Sequence, residues 1–498
     1  MAKVIMLQGT MSNVGKSLLT AALCRIFRQD GYRAAPFKSQ NMALNSYITA
    51  DGLEMGRAQA MQAEAAEIEP SVLMNPILLK PTSDVGSQVI LLGEVVGNMT
   101  AAEYFRKKKE FLPRITDAFD TLSKSNDIIV IEGAGSPAEL NLKADDIVNM
   151  GLAKLLNAPV LLVGDIDRGG VFAQLIGTVD LLEQDERALV KGLIVNKFRG
   201  DRTIFSDGVD ILEQKSGKPV VGVVPYINCD IEDEDSLSDK LQNRSAKGVI
   251  DIAVIRLPRI SNFTDLDVFS QFEQVSVRYV SKAEELSSGV PDMIVIPGTK
   301  STISDMKFLR ESGLEAVIKK HAAAGVPVFG ICGGYQMLGE TISDPENAEG
   351  GDVRDIRGMG LLKISTVFSD KKTRLRTSGR FAETEGVFGA LSGLSYDGYE
   401  IHMGITKILG SREKPLLDTA SGGAVSDNVC GCYVHGIFDS DEVCAALVKS
   451  LCERRGIEFT DAAVSRADYK KRQFDILADA VRHSLDMDLV YKILNNEK

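Results

Sequence analysis

Six short apolar runs, separated by longer segments of helical spacing, give residues 1–228 one rhythm. They are KVIMLQG, RAAPFK, DIIVIEGAG, APVLLVGDID, VKGLIVNKF and KPVVGVVPY, each bounded by Gly, Pro, Asn or Asp. A strand that is apolar throughout needs cover on both faces. Such strands alternating with helices predict a doubly wound parallel α/β sheet. The acidic, polar stretch from Cys229 to Gly248 breaks the rhythm and reads as a linker. A second α/β rhythm starts at VIDIAVIRLP and runs through VSVRYV, DMIVIPG and VPVFGIC. After Gly358 the runs GLLKISTVF, GYEIHMGITKI and NVCGCYVHGIF alternate more, which predicts antiparallel or mixed strands. From Asp461 the chain reads as helical, with Phe474, Leu477, Val481 and Leu485 on one apolar stripe. The expected organisation is a first α/β domain over 1–228, a linker over 229–248, a second α/β domain over 249–445 and a helical extension over 446–498.

The first run leads into QGTMSNVGKSLLT, which from Thr10 reads T-x-x-x-x-G-K-S. Strand, turn and helix in that order are the setting of a P-loop, with Thr10 where the first glycine usually stands. Backbone N–H groups around Asn13, Gly15 and Lys16 are expected to cradle the phosphates of ATP at a helix N-terminus. Lys16 should reach the terminal phosphates and the Ser17 hydroxyl should ligate Mg²⁺. Carboxylates for that ion are sought at strand ends. Glu132 closes one strand; Asp165 and Asp167 close the next. Ser17, Glu132 and Asp167 form the expected metal set, with capping or turn roles as the alternative for the carboxylates. Asn196, beside Lys197 at another strand end, is expected to read the adenine edge.

Cys332 lies in GICGG, a G-x-C-x-G pattern after an apolar run. It predicts a nucleophile elbow, a sharp strand-to-helix turn that exposes the thiol. A helix N-terminus lowers a thiol's pKa and favours attack on an acyl group. The N–H groups of Gly333 and Gly298 are the expected oxyanion donors, each of the kind worth about 10²–10³ in rate. The chain has 4 histidines. His435, in CYVHGIF, is the expected base, His402 its rival, and His321 and His483 fall in helical segments.

Bulk properties narrow the function class. A net charge of −12 and the absence of tryptophan argue against a nucleic-acid surface. No apolar run approaches the roughly 18 residues of a membrane span, and the N-terminus reads as a first strand, not a signal. An odd cysteine count of 7 suggests no disulfide framework and points to the cytoplasm.

These motifs also carry a resemblance. GICGGYQMLG and YVHGIF resemble the triad-type glutamine amidotransferase domain. GTMSNVGKS, FKSQNMALNS, EMGRAQAMQA, MNPILLKP, EGAGSPAELNL, GDIDRGGVFAQLIGT, NKFRGD and LPRISNFTDLD together resemble the cobyric acid synthase family, over nearly the whole chain. The related a,c-diamide synthases typically carry a glycine-proline-aspartate segment after the second strand, where this chain has FKSQNMALNS. The resemblance implies an ATP-dependent amide synthetase in 1–228 and a glutaminase in 249–445. The implied reaction amidates the b, d, e and g carboxylates of adenosylcobyrinic acid a,c-diamide, with glutamine supplying nitrogen and ATP consumed at each step. Cys332 maps onto the glutaminase nucleophile and His435 onto its base. Many triad enzymes carry Glu two residues after that histidine, where this chain has Ile437. Asp439, Glu400 or a backbone carbonyl is left to orient the ring. A shielded path for ammonia is expected, and Gln40, Asn41 and Asn45 are expected to contact the corrinoid. A P-loop switch or partitioning ATPase is the competing class, and a related amidase such as the a,c-diamide synthase, or one acting on a cell-wall lipid precursor, the competing enzyme. The phosphate turn lacks the additional early lysine common in partitioning ATPases.

Overall fold

The computed structural model describes residues 2–82, 86–231, 248–350, 352–461 and 464–497. The linker expected at 229–248 lies, from 232 to 247, outside the described residues. The chain divides into two compact units. One comprises Met1–Ala43, Glu54–Ile231 and Lys470–Lys498; the other comprises Leu44–Leu53 and Glu232–Tyr469.

In the first unit all six apolar runs become strands of one sheet. Their order is Val220–Pro225, Val190–Phe198, Val160–Asp165, Lys3–Gly9, Ile128–Glu132 and Ala34–Phe37. Every neighbouring pair is parallel, so all the strand C-termini share one edge. The register sets Leu7 against Glu132 and Asp165 against Asn196. Residues from distant parts of the sequence thereby reach one place. The helix Lys16–Gln29 packs Leu19, Leu23, Ile26 and Phe27 into the core beneath it. Burying side chains of that size is worth about 1.5–3 kcal/mol each.

Two features depart from the sequence reading. Phe474, Leu477, Val481 and Leu485 are buried as the stripe predicted, but in the core of the first unit. Arg25 reinforces the packing through ion pairs to Asp475 at 2.8 Å and Glu67 at 2.9 Å. The helix Asp441–Arg455 stays with the second unit, so the stretch read as one extension is divided. An additional sheet orders Gln40–Met42, Ile77–Pro81, Gly86–Leu91 and Glu94–Thr100, the last three antiparallel. Proline and glycine interrupt those runs and hid them from a search for long apolar strands.

The second unit centres on a sheet ordered Val275–Val280, Ile250–Ile255, Met293–Ile296, Val328–Ile331, Val429–Cys432 and Ala424–Ser426. The first five strands are parallel and the last is antiparallel. Beside it the long strands Ile364–Arg380 and Ser395–Ile408 pair antiparallel, as their alternation predicted, and Val434–His435 joins their edge. Among the described residues no helix is long and apolar enough to cross a membrane.

Candidate active sites

In the first unit the phosphate turn is built from backbone that turns left-handed at Asn13 (φ 59°) and Gly15 (φ 96°). Asn196 braces it, donating from Nδ2 to the Val14 carbonyl at 2.7 Å. A Cβ on Gly15 would lie 2.3 Å from that nitrogen, so only glycine lets the amide approach. Asn196 is 6% exposed, and the structure gives it a supporting role under the turn where an adenine contact was expected. Lys197 joins it, donating to Asn13 O and pairing with Asp165 at 3.0 Å. Thr10 bonds through its hydroxyl to Gln174 at 3.1 Å. The Lys16 ammonium donates to Met11 O and Gly135 O at 3.2 and 3.3 Å. These are weak neutral acceptors that phosphate oxygens can replace.

Glu132 is the hub of this site. Its Oε1 accepts from Ser17 Oγ at 2.9 Å and from Lys38 Nζ at 2.8 Å, and its Oε2 accepts from Gln62 Nε2 at 2.6 Å. A carboxylate 1% exposed is costly to bury unless paired and hydrogen-bonded, and these partners meet that need. Ser17 and Glu132 form a pair of hard oxygen donors beside the phosphate turn, which fits Mg²⁺ completed by phosphate oxygens and water. Asp167 does not join them; its carboxylate accepts from Arg199 Nε at 2.7 Å. Lys38 and Gln62 were missed. Lys38 sits inside the FKSQNM motif, but its target is reached only through strand pairing.

In the second unit Cys332 ends the strand Val328–Ile331 at φ 52° and ψ −108°, a strained conformation for a residue with a Cβ. The helix Gly333–Met337 follows at once. A Cβ on Gly334 would sit 1.9 Å from Ile296 O, so the turn needs glycine to lie this close to the neighbouring strand. The sharp strand-to-helix turn expected from GICGG is present, with Cys332 itself buried at 7% exposure. Gly298, two residues past Met293–Ile296, follows the strand beside it.

His435 is 1% exposed. Its Nδ1 is 2.7 Å from Asp265 Oδ2, and the other carboxylate oxygen accepts from Gly436 N–H at 2.9 Å. With Nδ1 donating to Asp265, Nε2 is left to face the sulfur. Burial pulls the imidazole pKa down, but Asp265 and hydrogen bonding with Cys332 together hold it up to about 10. The ring of Tyr399 stacks on it at 5.3 Å and 24°. A Cβ on Gly298 would lie 2.9 Å from His435 Cε1, so the glycine forms the floor under the ring.

Asp265 thus holds the place for which Asp439, Glu400 and a carbonyl were candidates. Glu400 bonds instead to His402 Nε2 at 3.1 Å and accepts from Ser421. Asp439 pairs with Arg466 at 3.0 Å. The other ring nitrogen of His402, the rival base, lies 2.8 Å from Gly404 O, so both of its ring nitrogens are engaged. The chemistry this arrangement supports is attack by a thiolate on an acyl carbon, with proton transfer by an oriented imidazole.

The amides expected on the corrinoid have different partners. Gln40 accepts from the Tyr104 hydroxyl. Asn41 is 2% exposed and bonds to Gln59 at 3.0 Å. Asn45 is 1% exposed, belongs to the second unit and bonds to Asn262. Their own side-chain hydrogen bonds take Asn41 and Asn45 out of solvent, so burial argues against the expected contact there.

Known proteins carry the same two modules. The family described as CobQ/CobB/MinD/ParA nucleotide binding domain matches residues 5–238. The CobB/CobQ-like glutamine amidotransferase domain matches residues 251–443. A cobyric acid synthase of Ruminiclostridium cellulolyticum is 58% identical over 504 residues, covering 99% of this chain and 97% of that protein. One from Lachnoclostridium phytofermentans is 57% identical over 514 residues, covering 99% of both. One from Clostridium acetobutylicum is 50% identical over 500 residues, also covering 99% of both.

Proposed function

The chain belongs to the cobyric acid synthase family, and from that premise we propose which of its residues carry each half of the reaction. It is an ATP-dependent, glutamine-hydrolysing ligase of cobalamin biosynthesis, with glutamine and a corrinoid as substrates. The reaction is amidation of the b, d, e and g carboxylates of adenosylcobyrinic acid a,c-diamide. The observation that carries the assignment of roles is the line Cys332–His435–Asp265 in the second unit. A switch ATPase has no use for it.

In the glutaminase half, Cys332 passes its thiol proton to His435 and its sulfur attacks the side-chain amide carbon of glutamine. The oxyanion is steadied by the N–H groups of Gly333 and Gly298. His435 gives its proton to the leaving ammonia, and a thioester remains. The same ring then takes a proton from water, whose oxygen attacks the thioester, and returns that proton to the departing Cys332 sulfur, so that glutamate is released and the thiol restored.

In the synthetase half, a corrinoid carboxylate takes the γ-phosphoryl of ATP to become an acyl phosphate, because a carboxylate is too poor an electrophile for ammonia. Lys16 stabilises charge on the transferring group. Ser17 and Glu132 would hold Mg²⁺, which when bound neutralises phosphate charge. Ammonia then attacks the acyl carbon and phosphate leaves. Of the amides expected on the corrinoid, Gln40 keeps this role. We place the enzyme in the cytoplasm, since its seven cysteines are all unpaired, as suits a reducing compartment.

The test is product mass after separate incubations with ATP, glutamine and either the a,c-diamide or its parent acid. Four successive carboxyl-to-amide conversions are expected. A corrinoid returned unchanged, or amidation only at the a and c positions of the parent acid, would overturn the assignment.

A further inference from the structure

The segment Leu44–Leu53 lies by sequence in the N-terminal half yet forms part of the second unit. Asn45 Oδ1 accepts from the Asn262 backbone N–H at 2.7 Å, and Asn262 Oδ1 accepts from the Ser46 N–H at 3.0 Å. The two asparagine side chains therefore clasp the backbone at Asn262 and Ser46, out of solvent, at 1% and 3% exposure. One residue on, Ser46 O accepts from the Tyr399 hydroxyl at 3.2 Å. Ile48 then packs with Tyr399 and Ile401 in a small buried cluster.

Both partners of this segment lead directly to His435. Asn262, left-handed at φ 52°, opens the 3-10 helix Phe263–Gln271, and its carbonyl accepts from Asp265 N–H at 3.2 Å. Asp265 is the acid on His435 Nδ1. Tyr399 lies opposite His435 in the strand register and stacks on its ring. One short segment thus anchors the start of the turn that carries the acid and the ring that fixes the imidazole plane.

We propose that Asn45 is a positioning residue of the glutaminase, acting with Ser46 through Asn262 and Tyr399 to hold the Asp265–His435 pair in its attack geometry. The proposal rests on the glutaminase reading of Cys332 and His435. Misplacement of a catalytic group by about 1 Å can cost on the order of 10²-fold in rate, and loosening this clasp frees both supports at once.

The test uses the full chain and glutamine alone, with glutamate release as the readout. Asn45→Ala removes the acceptor for Asn262 N–H. Asn262→Gly keeps a backbone that accepts the left-handed conformation while removing the acceptor for Ser46 N–H. Each is expected to lower kcat about 10- to 100-fold with KM within about threefold. The double variant should lose about as much as either single one, because both open the same clasp. The groups facing the His435 ring are Asp265, Cys332 and Tyr399. With Asp265 less firmly held, the kcat/KM limb that reports the imidazole should move to lower pH. A role in packing alone would lower the melting temperature and leave that limb in place. Folded variants that keep wild-type kcat and pH profile overturn the proposal, as do losses in KM alone or strictly additive losses in the double variant. If Asn45→Ala does not fold, Asn262→Gly decides by itself. A wild-type chain that releases no glutamate from glutamine would instead overturn the glutaminase reading.

Discussion

His435 Nδ1 and Asp265 Oδ2 lie 2.7 Å apart across 170 residues of sequence. The contact fixes which ring nitrogen carries the proton and leaves the other to serve the sulfur. Asp265→Asn keeps the side chain's size but removes the charge that stabilises the imidazolium. Oriented acid–base catalysis contributes on the order of 10²–10⁴ in rate, and glutaminase kcat should fall within that range. Amide synthesis from ammonium should continue. Glutamate release and corrinoid product mass, measured side by side, check both halves. Glutaminase turnover unchanged by the substitution would remove Asp265 from the mechanism.

The same contact has a pH signature. Asp265 and Cys332 hold the folded-state pKa of His435 up to about 10 against the pull of burial. The unfolded-state value is about 6.5. Between those values the folded chain retains a proton that the unfolded chain has lost. The resulting stabilisation is whole below pH about 6.5 and drains away as pH rises toward 10. His435→Gln lacks it at every pH. The stability gap between wild type and variant should therefore narrow from pH 6 to pH 10 in urea unfolding at stepped pH. A gap that stays constant or widens contradicts the charged pair.

Residues whose placement is written in a short stretch of chain could be singled out in the sequence. Lys16 and Ser17 follow from the turn, Cys332 from its flanking glycines, and Glu132 from its place at the end of an apolar strand. Asp265 was not legible, although LPRISNFTDLD contains it, because nothing local separates it from Asp267. Only the fold brings it to His435. Ile437, where many triad enzymes have Glu, is fully buried in the second core, which leaves no room there for a carboxylate. The parallel sheet was legible because a strand covered on both faces must be apolar throughout. The place of residues 470–498 was not, because an apolar stripe declares that a helix is buried without naming the core it joins.

Gly298 offers a steric test. A Cβ there would meet His435 Cε1 at 2.9 Å and Ser261 O at 3.1 Å. Both neighbours are held, one by Asp265 and the other in the backbone, so the ring is what yields. Gly298→Ala should reduce glutaminase turnover about 10²-fold through misplacement of the imidazole, with synthesis from ammonium preserved. Gly334→Ala is the contrast. Its Cβ would meet Ile296 O at 1.9 Å, a backbone clash that should destabilise the second unit by about 1–3 kcal/mol or more and abolish folding of the elbow. A Gly298→Ala chain with wild-type glutaminase turnover would mean that the floor under His435 has slack.

The division of labour between the units can be read from three substitutions. Cys332→Ala removes the sulfur, so glutamine is no longer a nitrogen source; high ammonium bypasses the loss and synthesis persists. Lys16→Ala removes the charge assigned to the γ-phosphoryl in the proposed mechanism, so synthesis should fail with either nitrogen source. Glu132→Gln is the more discriminating change. It keeps a side chain of the same size beside Ser17, Lys38 and Gln62, but the Lys38 ammonium loses a buried partner held at 2.8 Å. If Glu132 also serves the metal, the variant should need a higher Mg²⁺ concentration for half-maximal synthesis, and its activity should be lost sooner on chelation with EDTA. If Glu132 served only to neutralise Lys38, synthesis would fall at every Mg²⁺ concentration alike. Titrating Mg²⁺ against ammonium-dependent synthesis separates the two, and an unchanged half-maximal concentration would take Glu132 out of the metal site.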